Sequence, residues 1–511
     1  MVLKTMNKKN ETTDKLPELP IHIGGDILSL ITSAMYTSPL SVYREYIQNA
    51  ADSIAAFGKP EDCKVDIKID PASMYLSIRD NGLGLSHAQA IEELIPIANS
   101  NKHRQTDRGF RGVGRLCGLA FGESVSFLTR TKDTDPVTRV VWNRTHLRRG
   151  IDSNLPIEKI ISNCVTVDVI KEDTYPTRFF EVQIRGISRY AASFILNRDL
   201  VSEYIGEICP VPFSEDFPYA TQVLNLFEED QKPLMLEIVI DNQKIPITRL
   251  HGGGTCISGN HLDAFVDFEK ITIPSLEGDR NAAIGWIAHS SYLGALLQKP
   301  SIRCMRVRAG NIQVGDETVF DHLFSETRFN RWCVSEIHIL DSRIVPNARR
   351  DYFEPGPHLR NFENRLRIVC RNLERKCRIA SKERNEQRQF QSLLNNVNAT
   401  YELAASKYLT AKAAKELIAE TLTEIERLRD KYKEPEWQNG KMDKLDELER
   451  MLSSFRASRG QVYFPGIAAS EVSIYRNIFQ ILTEISPSPQ AAKDIIDTIL
   501  SKVKREKFSS Y

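Results

Sequence analysis

The segment 44–53, REYIQNAADS, predicts an amphipathic helix with one polar face. Glu45, Asn49 and Asp52 stand at positions i, i+4 and i+7, so helical periodicity places all three on one side. A carboxylate beside a carboxamide can polarise a water molecule, and magnesium prefers such oxygen ligands. Taken alone, the pattern fits a solvated polar face equally well. The segment therefore predicts a hydrolytic site only if other segments supply the remaining parts.

A second segment, 78–85, IRDNGLGL, follows a predicted strand. A buried aspartate at position 80 can accept a hydrogen bond from an exocyclic amine such as that of adenine. Gly82 and Gly84 would let a flat ring approach the backbone, because glycine has no Cβ. The alternative is an ordinary Asp-Asn-Gly turn between two strands.

A third segment, 108–114, RGFRGVG, precedes the apolar run 116–121. Its glycines predict a loop that opens a helix, whose free N–H groups can cradle phosphates. A flexible surface loop would have the same composition. Each segment is weak evidence alone, but three in this order and in these element types predict a nucleotide site.

Together the segments resemble the GHKL superfamily, which includes gyrase B, Hsp90, histidine kinases and MutL. The resemblance implies an ATPase that uses ATP and Mg²⁺, with Glu45 as general base and Asn49 as magnesium ligand. It implies that Asp80 reads adenine and that residues 86–114 form a mobile lid. The other residues expected to contact the nucleotide are Asp52, Gly82, Gly84, Ser100, Lys102, Gly109, Gly112, Gly114 and Thr177. Thr177 is a loose match to the family's last motif.

Two longer stretches resemble the Hsp90 branch. Segment 23–52 is similar to the opening of Hsp90 and HtpG chaperones. Segment 336–352, EIHILDSRIVPNARRDY, is similar to the Hsp90 middle-domain segment with its catalytic arginine, and Arg350 takes that position. Arg349 could substitute for it, and a surface pair facing Asp351 is the alternative. The resemblance implies that lid and domain closure bring Arg350 to the γ-phosphate, as arginine fingers act.

The same stretches depart from Hsp90 in ways that leave other functions open. Arg115 stands where Hsp90 has an aromatic residue, and the GFRG sequence at 109–112 is closer to MutL. We therefore expect a divergent Hsp90-like ATPase that acts on protein clients or on partners in a multi-protein system. The alternatives are a DNA-directed ATPase like MutL, MORC or topoisomerase subunits, and a nucleotide-gated scaffold with negligible turnover.

The pattern of apolar and polar residues predicts an α+β protein whose C-terminal region is helical. We expect a disordered leader at 1–19, a GHKL α/β sandwich at 20–215, an Hsp90-type α/β middle domain at 216–356, and helices at 357–511 that could form coiled coils. A helix should cover Ile27 to Met35, and Asn395, Asn396 and Asn398 should break the long helix. Strands are expected at 65–69, 75–79, 124–131, 137–142, 164–170, 178–185, 234–240, 264–268, 284–289, 303–308 and 335–340.

Composition narrows the class of protein. The 511 residues fit about three domains, and the formal charge of +1 indicates no general affinity for polyanions. The absence of long apolar runs and of a signal-peptide core, with nine scattered cysteines, predicts a cytoplasmic protein without membrane contact.

Two features of the helical end concern its partners. The segment 360–388 holds ten basic and four acidic residues, a balance of +6. A solvated helix with pairs such as Glu374–Arg378 explains this charge better than nucleic-acid binding, because aromatic residues are scarce there. The heptad-like stripes of the helical region favour a homodimer.

Overall fold

The computed structural model describes residues 36, 38–59, 62–97, 114–132, 135–153, 155–171, 174–257, 262–299, 301–431, 440–456, 464 and 467–508. The chain divides into two compact units, Met1–Arg378 and Ile379–Tyr511. The expected leader and the helix at Ile27–Met35 lie outside the described residues. The finer division at 215/216 and 356/357 stays a prediction.

A seven-stranded sheet organises the first part of the chain, and five of its six strand pairings are antiparallel. The spatial order of its strands is β5-β4-β3-β6-β2-β1-β7. The strands are β1 (Lys64–Asp70), β2 (Tyr75–Asp80), β3 (Ser124–Arg130), β4 (Val137–Asn143), β5 (Val165–Ile170), β6 (Phe179–Arg185) and β7 (Glu237–Ile240). The helices are α1 (Ser41–Phe57), α2 (His87–Leu94), α3 (Arg144–Asp152), α4 (Ile157–Cys164), α5 (Arg189–Ile195), α6 (Arg198–Ile208) and α7 (Ala220–Leu224).

Apolar alternation explains how this sheet packs. Val65, Ile67 and Ile69 of β1 are buried, while the residues between them are exposed. Their side chains join one core with the apolar face of α1, as a half-buried strand requires. The six strands expected between 65 and 185 are confirmed to within one or two residues. Strand β7, expected in the second domain, instead pairs in parallel with β1 and extends the first sheet.

A five-stranded sheet follows, in the spatial order β10-β11-β14-β12-β13. Its strands are β10 (Asp267–Pro274), β11 (Asn281–His289), β12 (Cys304–Ala309), β13 (Ile312–Val314) and β14 (Val334–Ile339). The expected strand at 264–268 is wrong in its bounds. The chain instead forms β9 (Leu262–Ala264), which pairs with β8 (Gly254–Cys256), and then enters β10.

The C-terminal part is helical, as expected. Its helices are α8 (Pro357–Ala405), α9 (Ala411–Lys431), α10 (Lys441–Ser453), α11 (Val472–Ile485) and α12 (Pro489–Phe508). The expected break at Asn395, Asn396 and Asn398 is wrong, because α8 continues through all three. Leu393 and Val397 are buried there, and such packing outweighs the weak helix propensity of asparagine. No helix in the described part of the chain is long and apolar enough to cross a membrane.

Most apolar stripes of the helical region are buried within the second unit. Leu417 and Ile425 of α9 share one buried cluster with Leu445, Leu448 and Leu452 of α10. These stripes, which favoured a homodimer in the sequence, thus find their partners within one chain. The expected coiled coil stays a prediction.

Candidate functional site

Helix α1 presents the residues of the first segment. Its inner face buries Val42, Tyr43 and Ile47 beneath the sheet core. Glu45 and Asn49 are partly exposed, and Asp52 is buried. The helix ends at Gly58, whose left-handed φ of 74° lets its N–H donate to the carbonyl of Ile54. The predicted shared polar face is therefore present on a helix of the expected register.

Gly114 lies directly against the candidate base. A Cβ at position 114 would lie 2.4 Å from Oε2 of Glu45, so a larger residue would displace the carboxylate. The hydroxyl of Tyr46 holds this approach in place: it donates to the carbonyl of Arg115 at 3.1 Å and accepts from the N–H of Gly118 at 2.8 Å. The 3₁₀ helix Gly114–Ala120 is thereby fixed on α1, and the end of the third segment meets the first.

The Asp80 segment closes the other side of α1. Asp80 is 5% exposed, and its Oδ1 accepts from the N–H of Gly82 at 2.9 Å. The hydroxyl of Ser53 on α1 accepts from the N–H of Leu83 at 3.0 Å. A Cβ at Gly82 would lie 2.2 Å from that hydroxyl, so only glycine fits between helix and loop. Gly84 has a φ of +64°, which favours glycine.

Three residues that the sequence did not single out shape the same loop. Thr129, fully buried on β3, accepts from the N–H of Leu85 at 2.8 Å. Arg178 donates from Nε to the carbonyl of Gly82 at 2.6 Å, and its guanidinium lies 3.5 Å from the ring centroid of Phe57. The sequence signal for Arg178 was its place next to Thr177. Thr177 itself is exposed and lies two residues before β6.

Four residues of the expected lid lie outside the described residues: Ser100, Lys102, Gly109 and Gly112. The flanks of that stretch are described, and Nη2 of Arg115 donates to the carbonyl of Pro96. Burial lowers the pKa of Arg115 to about 10, which leaves it charged at neutral pH. Arg115, which stands where Hsp90 has an aromatic residue, thus links the two described flanks of the lid stretch.

The loop that carries Arg349 and Arg350 reaches α1. Nη2 of Arg44 lies 3.3 Å from Oε1 of Glu45 and donates to the carbonyl of Arg349 at 3.2 Å. Arg350 is 8% exposed and adopts a left-handed φ of +56°. Its carbonyl accepts from the N–H of Gly315 at 2.8 Å. The loop therefore meets the helix of the candidate base through one guanidinium.

Asn347 and Asp351 close the loop that carries Arg349 and Arg350. Nδ2 of Asn347 donates to Oδ1 of Asp351 at 2.6 Å, and the N–H of Asn347 donates to the carbonyl of Tyr352. Asp351 thus has a partner other than the basic pair. The alternative in which Arg349 and Arg350 face Asp351 stays a prediction.

A buried arginine cluster, made of Arg249, Arg308, Asn311 and Glu336, joins the second sheet to α6. Arg308 donates to Oε1 of Glu336 at 2.8 Å and to the carbonyls of Glu207 at 2.6 Å and Ile208 at 3.2 Å. It thereby satisfies carbonyls at the C-terminus of α6, where a positive charge is favourable. Arg249 contacts the other carboxylate oxygen of Glu336.

Burial alone would raise the pKa of Glu336, but the attraction of Arg249 and Arg308 holds it well below its usual range. The carboxylate therefore stays ionised at neutral pH. On the neighbouring α6, burial raises the pKa of Tyr204, and the charge of Arg44 partly offsets this rise. Helix α6 thus connects the buried arginine cluster with the surroundings of the candidate base.

Comparison with known families decides what this arrangement is. Residues 36–177 match the family described as histidine kinase-, DNA gyrase B-, and HSP90-like ATPase. This segment is a GHKL-type ATPase domain. The match covers α1, the Asp80 segment and the Gly114 contact, so the expected superfamily is confirmed on the segments that suggested it.

The chain also has distant chaperone relatives. The chain is 26% identical over 164 residues to the chaperone protein HtpG of Psychrobacter arcticus, covering 27% of this chain and 25% of the relative. It is 34% identical over 139 residues to HtpG of Polaromonas naphthalenivorans, covering 23% and 22%. For HtpG of Rickettsia canadensis the identity is 27% over 172 residues, covering 29% and 27%. The chain spans about a quarter of the length of the curated relatives it matches.

The residues present fit ATP and magnesium. The polar face of α1 offers an amide oxygen from Asn49 and carboxylates from Glu45 and Asp52, which is the oxygen-rich set that Mg²⁺ prefers. Gly82 packs closely against Ser53 of α1 and Gly84 against the carbonyl of Arg130, so the two glycines hold the loop beside the buried Asp80.

Proposed function

We propose that the chain hydrolyses ATP, with Glu45 as the general base. The observation that carries the proposal is the contact between Glu45 and Gly114, which sets the carboxylate against the end of the glycine-rich segment. A base placed there can take the proton from a water molecule beside bound phosphates. Mg²⁺ would neutralise phosphate charge, and the amide of Asn49, one turn further along α1, would help hold it.

Arg350 is the proposed stabiliser of charge on the γ-phosphate. Its support is the hydrogen bond between Arg44 and the Arg349 carbonyl, which brings the Arg350 loop beside Glu45. The sequence suggested that a distant domain must first swing in. Because the loop is already at α1, we propose that a local change in the loop completes the site, and that closure over the nucleotide accompanies it.

Protein clients, or partners in a multi-protein system, are the proposed targets of the ATP cycle. Support comes from the HtpG relatives, which are named as chaperone proteins. It comes also from segment 336–352, which begins in β14 of the second sheet and resembles the Hsp90 middle domain. Under this proposal, nucleotide-dependent changes at Arg44 pass to the second sheet through α6.

A DNA-directed ATPase is the second candidate, and one observation favours it. The expected pair Glu374–Arg378 is not formed: Glu374 accepts from Ser325 at 2.6 Å, while Arg378 pairs with Glu326 at 2.5 Å. Arg371 and Arg375 are exposed on α8 and make no salt bridge within the described part of the chain. Stimulation of turnover by duplex DNA rather than by an unfolded protein would select this candidate.

The direct test of the proposed chemistry is Glu45→Ala. We expect ATP to bind with affinity within a few fold of wild type, while steady-state hydrolysis falls about 10²–10⁴-fold, the usual contribution of a positioned base. The matched control is Glu158→Ala, which removes an exposed carboxylate on α4. Turnover by Glu45→Ala close to that of the control would exclude Glu45 as the base.

A further inference from the structure

Helix α11 is apolar on two opposite sides. On its inner side Phe479 is fully buried, with its ring 5.7 Å from that of Phe464 and 5.8 Å from that of Tyr408. On its outer side stand four exposed isoleucines, which we call the isoleucine stripe. They are Ile474, Ile478, Ile481 and Ile485, with exposures of 58%, 40%, 54% and 71%.

A continuous row of exposed isoleucines on one side of a helix favours a partner, because contiguous exposed apolar patches on soluble proteins often mark interaction sites. The isoleucine stripe leaves roughly 400 Å² of apolar surface exposed, which is the size of the largest patch on a typical monomer, a patch that is often functional. A standard interface buries about 800 Å² per partner, of which slightly more than half is apolar. The stripe therefore supplies about the apolar area that one side of a stable dimer needs.

The spacing of the stripe identifies the partner. Successive isoleucines are separated by four, three and four residues, a pattern that reads the same in both directions. A twofold axis through the midpoint of α11 would place Ile474 opposite Ile485 of a second copy, and Ile478 opposite Ile481. Twofold interfaces require such self-complementary surfaces. A 4-3-4 spacing is also the seam along which two helices pack with side chains interdigitated.

Charge at the edges of the stripe selects the antiparallel arrangement. In that register Glu484 lies opposite Tyr475, and Glu471 lies opposite Ser488, so no like charges face each other. A parallel pair would set each glutamate against its own copy, which is unfavourable. We propose that α11 is the homodimer contact of this protein, formed by antiparallel packing of the isoleucine stripe on that of a second copy.

This assignment differs from the one that the sequence suggested. The stripes of α9 and α10 are buried within the second unit and are therefore not available for a partner. Lying outside the ATPase domain, the proposed contact is independent of the hydrolysis mechanism.

The first experiment measures the mass of the full-length protein by light scattering at about 10 µM, without nucleotide. We expect a dimer for wild type and a monomer for Ile478→Glu/Ile481→Glu, because charges at the centre of the seam should raise the dimer Kd at least ~100-fold. The matched control is Ile368→Glu on α8, where the isoleucine is also 58% exposed. It should remain a dimer, and thermal unfolding by circular dichroism should show all three proteins folded.

The second experiment tests the register by oxidative cross-linking of introduced cysteines. The double variant Ile474→Cys/Ile485→Cys should form a covalent dimer, whereas neither single variant should. Cross-linking of each single variant would show a parallel pair and overturn the proposed arrangement. A monomeric wild type, or a dimer that survives both glutamates, would overturn the assignment of α11 as the contact.

Discussion

The two sheets of the first unit are held to their surroundings in different ways. Around the seven-stranded sheet, three hydroxyls, those of Ser53, Thr129 and Tyr46, accept hydrogen bonds from backbone N–H groups of the candidate site. The five-stranded sheet instead buries Glu336 between Arg249 and Arg308. The seven-stranded sheet positions the loops of the candidate site. The five-stranded sheet is held against α6 by its buried ion pairs.

This difference separates two kinds of effect. Hydroxyl bonds to backbone amides set the shape of a loop and cost little when rearranged, with about 0.5–1.5 kcal/mol for each bond. A buried ion pair is far more costly to break, because the remaining charge stays buried. Changes near the first sheet should therefore alter nucleotide binding and chemistry, whereas changes in the buried arginine cluster should alter stability and coupling.

The largest expected effect lies at the first sheet. Asp80→Asn should abolish detectable ATP binding, because an amide presents a different donor and acceptor pattern to the adenine amine. Calorimetry with a non-hydrolysable ATP analogue measures the affinity. Asp66→Asn, on the exposed side of the adjacent strand, is the control and should bind normally. Equal affinity in the two variants would mean that adenine is read elsewhere.

The second-largest effect is expected where the loop that carries Arg350 meets α1. Arg350→Ala should lower turnover about 10–1000-fold with ATP affinity nearly unchanged, since the proposed contact forms mainly in the transition state. Arg349→Ala is the control, because Arg349 is exposed and its contact with Arg44 uses the backbone carbonyl. A larger loss of turnover in Arg349→Ala than in Arg350→Ala would assign the γ-phosphate contact to Arg349 instead.

Point variants test this junction better than truncation. A fragment ending at residue 215, the domain boundary expected from sequence, would lack β7, which hydrogen-bonds to β1 in the ATPase sheet. Loss of turnover in such a fragment could therefore reflect damage to the sheet itself.

Substitutions in the buried arginine cluster should have the smallest effect on ATP hydrolysis, because they should act on stability instead. Arg308→Ala should lower the free energy of unfolding by about 3 kcal/mol, because Glu336 and the end of α6 lose a buried partner. Urea denaturation measures this change. Lys299→Ala is the control: its ion pair with Glu203 is exposed, so its loss should cost under ~1 kcal/mol. Similar losses in both variants would show that the cluster does not fix the second sheet.

The sequence determined the local features of this protein. Glu45, Asn49 and Asp52 share a helix because residues spaced by about 3.6 lie on one face, and alternating apolar residues identified most strands. Asp80, Gly82 and Gly84 were visible as a short motif whose residue types already imply close backbone approach. These inferences depend on spacing along the chain, which a single sequence contains in full.

Tertiary structure alone decided which distant residues meet. Arg44 and Arg349 are 305 positions apart, and Thr129 sits in a strand whose pattern marks it only as buried. Local propensity also failed at Asn395 and at the stripes of α9 and α10, because packing among helices determines which apolar faces find partners. Contacts of this kind depend on the folded arrangement, and no periodicity in the sequence encodes them. The isoleucine stripe of α11 became meaningful only after the other stripes were seen to be buried.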